Sequence, residues 1–213
     1  MGDQLAQSIK QKRAQRTYVV GLTGGFGSGK STVLHAFRKC GASIFDCDAA
    51  AHAALQSGSP LIASLRKCFG PAIIGEDGAV DRSRLGALIF TNTRKKRQLE
   101  KIMHPFIIAR MRSFIKRARG LVVVEVPLLY EARLMHLFDA IVVVYAPQRT
   151  ILARLKKKYP ALSERALLRR IRAQLSLRTK AQRADHVILN TSVRAAAERV
   201  YSLAHIFKTN INA

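Results

Sequence analysis

The sequence lacks an apolar segment long enough to cross a membrane. Its longest apolar runs, at residues 121–124 and 140–146, have the length of strands, whereas a transmembrane helix needs about 18 or more consecutive apolar residues. The first sixteen residues, MGDQLAQSIKQKRAQR, also lack the continuous apolar core of a secretory signal, and Ala6 stands where a myristoylation motif requires Ser or Thr. We therefore expect neither membrane insertion nor secretion.

Cysteine is scarce in this chain. It contains three, Cys40, Cys47 and Cys68. An odd number without a Cys-x-x-Cys pair argues against a disulfide framework and against a zinc site. We therefore expect a reducing, cytoplasmic location.

Acidic residues are also few. The chain has 13 Asp and Glu against 37 Lys and Arg, which gives a formal net charge of +24. Such a charge attracts polyanions, and either a nucleic acid or a multiply phosphorylated small molecule is consistent with it. A basic surface that only aids solubility explains the same numbers, so composition leaves all three alternatives open.

Short apolar runs rich in Val and Ile predict five strands. They lie near residues 17–22, 42–46, 121–126, 140–145 and 186–189. The runs are continuous rather than alternating, and helical patterns separate them, which favours a buried parallel sheet with helices on both faces. The sequence therefore predicts an α/β fold with a five-stranded parallel sheet flanked by helices.

Two connections between these strands are longer than a compact crossover needs. Residues of about 58–118 show helical periodicity and predict a helical insert, in which His104 and Pro105 end one helix and begin the next. Residues of about 148–183 are strongly basic and predict a helical flap. Because the chain has no repeat or Pro/Gly-rich linker, we expect both to be insertions in one domain of about 17–208, after a basic extension at 1–16.

A glycine-rich motif, GGFGSGKS, joins the first strand to a helical pattern, with the spacing Gly24-x-x-x-x-Gly29-Lys30-Ser31. Its glycines let backbone N–H groups approach phosphate oxygens, and the helix N-terminus adds partial positive charge. Lys30 would meet the β- and γ-phosphates, and the Ser31 hydroxyl would bind a bridging magnesium ion. The expected nucleotide-binding residues of this loop are Gly24, Gly25, Gly27, Ser28, Gly29, Lys30, Ser31 and Thr32.

Acidic side chains follow the next two predicted strands. Asp46 and Asp48 lie at the end of the second and Glu125 at the end of the third, and the carboxyl ends of parallel strands share one edge with the glycine-rich loop. A carboxylate there could accept a hydroxyl proton or help to hold magnesium. Asp48 could instead cap a helix, and Glu125 could simply pair with a basic neighbour. Glu131 is expected at the surface or at a helix start, although it could instead orient a group in the cleft.

Several motifs, in their order along the chain, resemble the dephospho-coenzyme A kinase family. They are TGGFGSGKST, the Asp46 and Asp48 pair with His52 after it, FGPAII, VDRSRL, LEKIMHPFI, VPLLYE, and Gln174 with ADHVILN. The resemblance extends from residue 18 to about 203. Many NTPases share the glycine-rich loop, but HP after LEKI, VPLL-x-E and AD-x-VI-x-N in this order are specific to that family.

The resemblance implies a P-loop NTPase fold and phosphoryl transfer from ATP to the 3′-hydroxyl of the ribose of dephospho-coenzyme A, giving coenzyme A and ADP. It implies that Asp48 is the catalytic base, that the insert accepts the coenzyme substrate and that the basic flap is a lid. Residues 184–190, ending in Asn190, would lie near the adenine of ATP. Further residues expected around the substrates are Asp46, Arg82, His104, Arg154 and Arg170. His104 could instead have a structural role, and Arg154 and Arg170 would be cationic clamps or, alternatively, solvated helix residues.

Three positions depart from the family's usual pattern. Lys158 stands where an arginine is usual, so a planar bidentate contact is lost there. Ile151 replaces a usual glutamine, and Phe26 replaces a usual isoleucine, a change that we expect to affect packing alone.

Two other functions stay open at this point. Another small-molecule kinase of the same fold would share the loop but should lack the HP and VPLL-x-E motifs. An ATP-dependent nucleic-acid-binding protein would fit the net charge of +24, but the chain shows no basic patch interleaved with aromatic residues. We therefore expect ATP, magnesium and dephospho-coenzyme A as ligands, and no nucleic acid.

Overall fold

The computed structural model describes residues 17–90 and 92–212. The described chain divides into two compact units, one made of residues 17–46 and 115–212 and the other of residues 47–90 and 92–114. The first unit contains a sheet and the second is helical. The predicted basic extension at 1–16 lies outside the described residues.

The first unit is built on five parallel strands. Their order in the sheet is β2-β3-β1-β4-β5, and their bounds are β1 Thr17–Gly24, β2 Ser43–Asp46, β3 Gly120–Glu125, β4 Ala140–Tyr145 and β5 His186–Leu189. The three central strands are buried along most of their length, which explains why they read as continuous apolar runs. The predicted five-stranded parallel sheet is confirmed.

Helices occupy the connections between these strands. In chain order they are α1 Lys30–Lys39, α2 Cys47–Ala53, α3 Ile62–Phe69, α4 Arg82–Phe90, α5 Thr93–Arg117, α6 Gln148–Lys158, α7 Glu164–Arg172, α8 Leu177–Gln182 and α9 Val193–Asn212. Short 3₁₀ turns at Pro71–Ile73 and Met135–Leu137 complete the described elements. Among all of these, none is both long and apolar enough to span a membrane.

The main core lies between the sheet and two helices, α1 and α9. Phe37 of α1 and Phe207 of α9 are fully buried there, and their ring centroids are 6.5 Å apart. Phe207 also stacks on Tyr18 of β1 at 5.3 Å. These contacts pack the last turn of α1 and the amino end of β1 against α9.

The second unit has an apolar core of its own, centred on Leu65, Ile73, Val80 and Leu85. The predicted break at His104 and Pro105 is wrong, because α5 runs through Pro105 without interruption. Proline removes one backbone N–H from a helix, and the buried side chains of Met103 and Met111 anchor α5 on both sides of it.

Candidate active site

A tight loop joins β1 to α1, and we call its residues 24–30 the phosphate loop. The Ser28 N–H donates to the Gly25 carbonyl at 3.1 Å. Gly27 and Gly29 have φ values of 79° and 89°, a region that favours glycine. A Cβ atom at Gly27 would lie 2.8 Å from the Leu155 side chain, and one at Gly29 would collide with the Asn190 amide. The glycines are thus required by both backbone conformation and close packing.

Lys30 begins α1 and reaches over the edge of the sheet. Its Nζ lies 3.9 Å from the Glu125 carboxylate at the end of β3 and donates to the Gly25 carbonyl at 3.3 Å. Both side chains are nearly buried, with exposed fractions of 10% and 4%, so each charge compensates the other. Asp46, the last residue of β2, is the strand partner of Glu125. A cation and two carboxylate-bearing residues are therefore concentrated at this edge, beside the phosphate loop.

Two of the predicted site residues, which lie far from the phosphate loop in the sequence, contact this loop. The Arg154 guanidinium on α6 donates to the carbonyl of Ser28 at 3.4 Å and to that of Asn190 at 3.0 Å. Asn190, which follows β5, donates from Nδ2 to the carbonyls of Ser28 at 2.9 Å and Gly29 at 3.4 Å. The structure thus brings Arg154 and Asn190 together at the Ser28 carbonyl of the loop.

The predicted basic flap consists of α6, α7 and α8, around a small apolar cluster. Ile151, Leu155 and Leu167 are buried in it, so the isoleucine at 151 packs in the core of the flap. At the tip of the phosphate loop, Phe26 stacks on Tyr159 with ring centroids 6.0 Å apart. The flap is therefore packed directly against the loop.

Basic side chains surround Tyr159. The guanidinium of Arg170 lies 5.9 Å from the centre of its ring and Nζ of Lys158 lies 5.5 Å from it. Such cation–π contacts hold a long flexible side chain near one position. The structure thus places Arg170 on the flap, close to the ring that touches Phe26.

Three predicted site residues belong to the second unit. Asp48 lies in the first turn of α2, which begins at Cys47, rather than at its N-cap. Arg82, the first residue of α4, has Nη1 3.1 Å from Nδ1 of His52. His104 on α5 lines an open cavity of about 410 Å³ with Arg97, Glu100, Lys101 and Pro105. Arg82 and His104 thus lie on different helices of the same unit.

An ion pair between Glu131 and the buried Lys180 was not predicted from the sequence. Lys180 on α8 is fully buried, and its Nζ lies 2.9 Å from Glu131 Oε1 and donates to the Pro127 carbonyl at 2.9 Å. Glu131 also accepts the Leu175 N–H at 2.9 Å. Glu131 lies in an exposed turn, as expected, and its carboxylate reaches inward to the buried Lys180. Nothing in the spacing of the basic segment distinguishes Lys180 from its solvated neighbours.

This pair makes the stability of the protein pH-dependent. Burial tends to raise the pKa of the Glu131 carboxyl, but the hydrogen bonds from Lys180 and from the Leu175 N–H lower that pKa below its ordinary value. A carboxyl whose pKa is lower in the folded state contributes stability above its unfolded pKa, and this contribution is lost as the pH falls through the folded value.

Replacing Glu131 by glutamine should lower the free energy of unfolding at pH 7 by about 3 kcal/mol, because the buried Lys180 ammonium loses its counter-charge. Urea unfolding followed by circular dichroism measures this loss. The matched control is Glu198→Gln in the exposed pair with Arg194, which should cost less than about 1 kcal/mol. The difference between the wild type and Glu131→Gln should shrink on acidification. Equal losses in the two variants, or a difference that grows on acidification, would contradict the role of the pair.

The phosphate loop between β1 and α1, on a parallel sheet with this strand order, defines the class of the protein as a P-loop NTPase fold. The family model for dephospho-CoA kinase matches residues 18–195. The chain belongs to the dephospho-CoA kinase family and is a kinase.

Individual relatives and solved structures that are similar to the chain are consistent with this family assignment. The chain is 41% identical over 179 residues to a dephospho-CoA kinase of Bacillus licheniformis, covering 82% of this chain and 89% of the relative. It is similar to the crystal structure of TT1252 from Thermus thermophilus, with a TM-score of 0.79, 30% identity and coverage of 90% and 98% of the two chains. A dephospho-CoA kinase from Campylobacter jejuni has the same fold, with a TM-score of 0.63, 24% identity and coverage of 91% and 98%.

Proposed function

We propose that the chain transfers the γ-phosphoryl group of ATP to the 3′-hydroxyl of the ribose of dephospho-coenzyme A, giving coenzyme A and ADP, in the cytoplasm. The observation that carries the proposal is the phosphate loop with Lys30 at 3.9 Å from Glu125, in a chain whose family is named for this acceptor. Phosphoryl transfer requires mainly positioning and charge neutralisation from the protein.

The phosphate loop would bind the phosphates of ATP. Its backbone N–H groups and the N-terminus of α1 provide donors for phosphate oxygens, and Lys30 would exchange part of its contact with Glu125 and Gly25 for the β- and γ-phosphates. Ser31 and Thr32, in the first turn of α1, would extend the same site. An arginine has five N–H donors, so Arg154 can bind phosphate while it donates to the carbonyls of Ser28 and Asn190.

Magnesium fits the oxygen donors at this edge of the sheet. The described residues contain no group of three His, Cys, Asp or Glu side chains that could hold a metal alone. Magnesium is commonly held by one or two carboxylates and by nucleotide phosphates, with hydroxyl and carboxylate oxygens as its protein ligands. The residues that would hold it are Ser31 and Glu125. When bound, the ion would neutralise negative charge on the phosphates.

The acceptor would be bound and activated by residues after β2 and in the second unit. Asp48 would take the proton of the 3′-hydroxyl as general base, with Asp46, Arg82 and His104 in contact with the coenzyme substrate. Arg82 and His104 are both exposed, which supports a binding role. The flap, with Arg154 and Arg170, would close over the reacting groups, since water at the γ-phosphate would compete with the acceptor.

A coupled assay of ADP release tests the proposed function. Turnover should require dephospho-coenzyme A, and adenosine or nucleoside monophosphates should not replace it. An analogue of dephospho-coenzyme A that lacks the 3′-hydroxyl should give no product. Turnover with a nucleoside monophosphate alone, or equal turnover with the 3′-deoxy analogue, would contradict the proposal.

A further inference from the structure

We propose that Asn190 is a positioning residue that orients the peptide groups of the phosphate loop, rather than a contact for adenine. This inference rests on the proposed function, because the phosphate in question is that of ATP. Asn190 lies 162 residues from Ser28 along the chain, and its side-chain amide donates to carbonyl groups of the loop.

The Asn190 side chain is rigidly placed. Only 2% of the residue is exposed, and its backbone N–H donates to the Tyr145 carbonyl at the end of β4 at 2.7 Å. The orientation of its amide follows from its two partners, the carbonyls of Ser28 and Gly29. The opposite orientation would place the amide oxygen against two carbonyl oxygens, so the nitrogen must face the loop.

The direction of a carbonyl fixes the direction of the N–H in the same peptide group. A trans peptide is planar, and its C=O and N–H bonds point in opposite directions. When the Ser28 carbonyl is turned toward Asn190, the Gly29 N–H therefore points to the other side of the loop. The same holds for the Gly29 carbonyl and the Lys30 N–H. Consecutive N–H groups that face one side form an anion-binding concavity.

The carbonyls of Ser28 and Gly29 differ in their other hydrogen-bond partners. The Gly29 carbonyl also accepts the Val33 N–H and so begins the hydrogen bonds of α1, whereas the Ser28 carbonyl is held by the side chains of Asn190 and Arg154. Arg154 in turn donates to the Asn190 carbonyl at 3.0 Å. Ser28, Asn190 and Arg154 thus form a closed set of contacts, and the Asn190 amide leaves no room for a Cβ atom at Gly29.

Asn190→Leu tests this role, because leucine has nearly the same shape and no N–H donors. Dissociation constants are measured by calorimetry for two ligands, ATP and inorganic tripolyphosphate, each with magnesium. We expect both to bind about 10-fold or more weakly, and by similar factors, since the loop peptide loses its hydrogen bonds. A residue that touches adenine would weaken ATP and leave tripolyphosphate unchanged, and that result would overturn the inference.

The matched control is Ser192→Ala. The Ser192 hydroxyl accepts the Ala195 N–H at the start of α9, two residues after Asn190, so this variant loosens the same segment without touching the phosphate loop. It should lower the melting temperature and leave tripolyphosphate affinity within twofold of wild type. An equal loss of affinity in Ser192→Ala would show that any local destabilisation suffices and would overturn the inference.

If Asn190→Leu does not fold, a second variant, Asn190→Ser, replaces it in the test. Its hydroxyl is polar but one bond too short to reach both carbonyls. The dissociation constants of ATP and tripolyphosphate are compared in the same way, with the same expected result. If the wild-type chain binds neither ligand, the proposed function is wrong and the inference falls with it. If wild type binds both and the variants keep its tripolyphosphate affinity, only the inference is wrong.

Discussion

Replacing Lys30 by alanine is expected to lower kcat/KM for ATP by about 10³-fold, because the transferring phosphoryl group loses a fixed positive charge in a partly buried site. The ADP-release assay with dephospho-coenzyme A measures the effect. Lys39→Ala is the matched control, since Lys39 is an exposed lysine at the opposite end of α1, and its loss should change the rate by less than about twofold.

The alanine variant also removes the cation 3.9 Å from the buried Glu125 carboxylate, so instability could lower the measured rate. Lys30→Arg separates the two effects. Arginine preserves the positive charge beside Glu125, and we expect a thermal stability close to wild type. Its larger planar guanidinium cannot reproduce the point contact of the ammonium group, so the rate should still fall by about 10-fold or more. A folded Lys30→Ala protein with near-normal activity would contradict the proposed role of Lys30 in phosphoryl transfer.

Replacing Asp48 by asparagine is expected to lower kcat by about 10²–10⁴-fold and to leave ATP affinity unchanged, because asparagine cannot take the proton of the acceptor hydroxyl. Steady-state kinetics and calorimetric titration with ATP measure the two quantities. Asp77→Asn is the control: Asp77 is exposed in a turn of the same unit, where it accepts the Ala79 N–H at 3.0 Å. A loss of kcat under about threefold in Asp48→Asn would rule out the base role.

Much of the fold could be predicted from local patterns in the sequence. Buried parallel strands need apolar side chains on both faces, so β3 and β4 appear as unbroken apolar runs that consist mainly of valine. The phosphate loop is equally local, because the backbone conformation at Gly27 and Gly29 requires glycine and Lys30 follows at once. Patterns of this kind depend on residues that are close together in the chain, so they can be recognised from the sequence alone.

The features that escaped prediction depend on residues far apart in the chain or on the balance of one local cost against packing. Lys180 and Glu131 pair across 49 positions of sequence, and Lys180 looks like any other basic residue of its segment. Pro105 should disturb a helix, but the buried methionines on either side of it outweigh one lost hydrogen bond. The contacts of Asn190 with the loop likewise follow from the order of strands rather than from any short motif.

The close fit of the phosphate loop to its surroundings limits how it could be transplanted. Gly27 lies against Leu155 and Gly29 against Asn190, while Phe26 rests on Tyr159. If these seven residues were placed in another nucleotide-binding protein, the glycine-rich backbone would be flexible, because the side chains that restrain it here would be missing. The transferable unit is therefore the loop together with α6 and the residue after β5, a module that is discontinuous in the gene and compact in space.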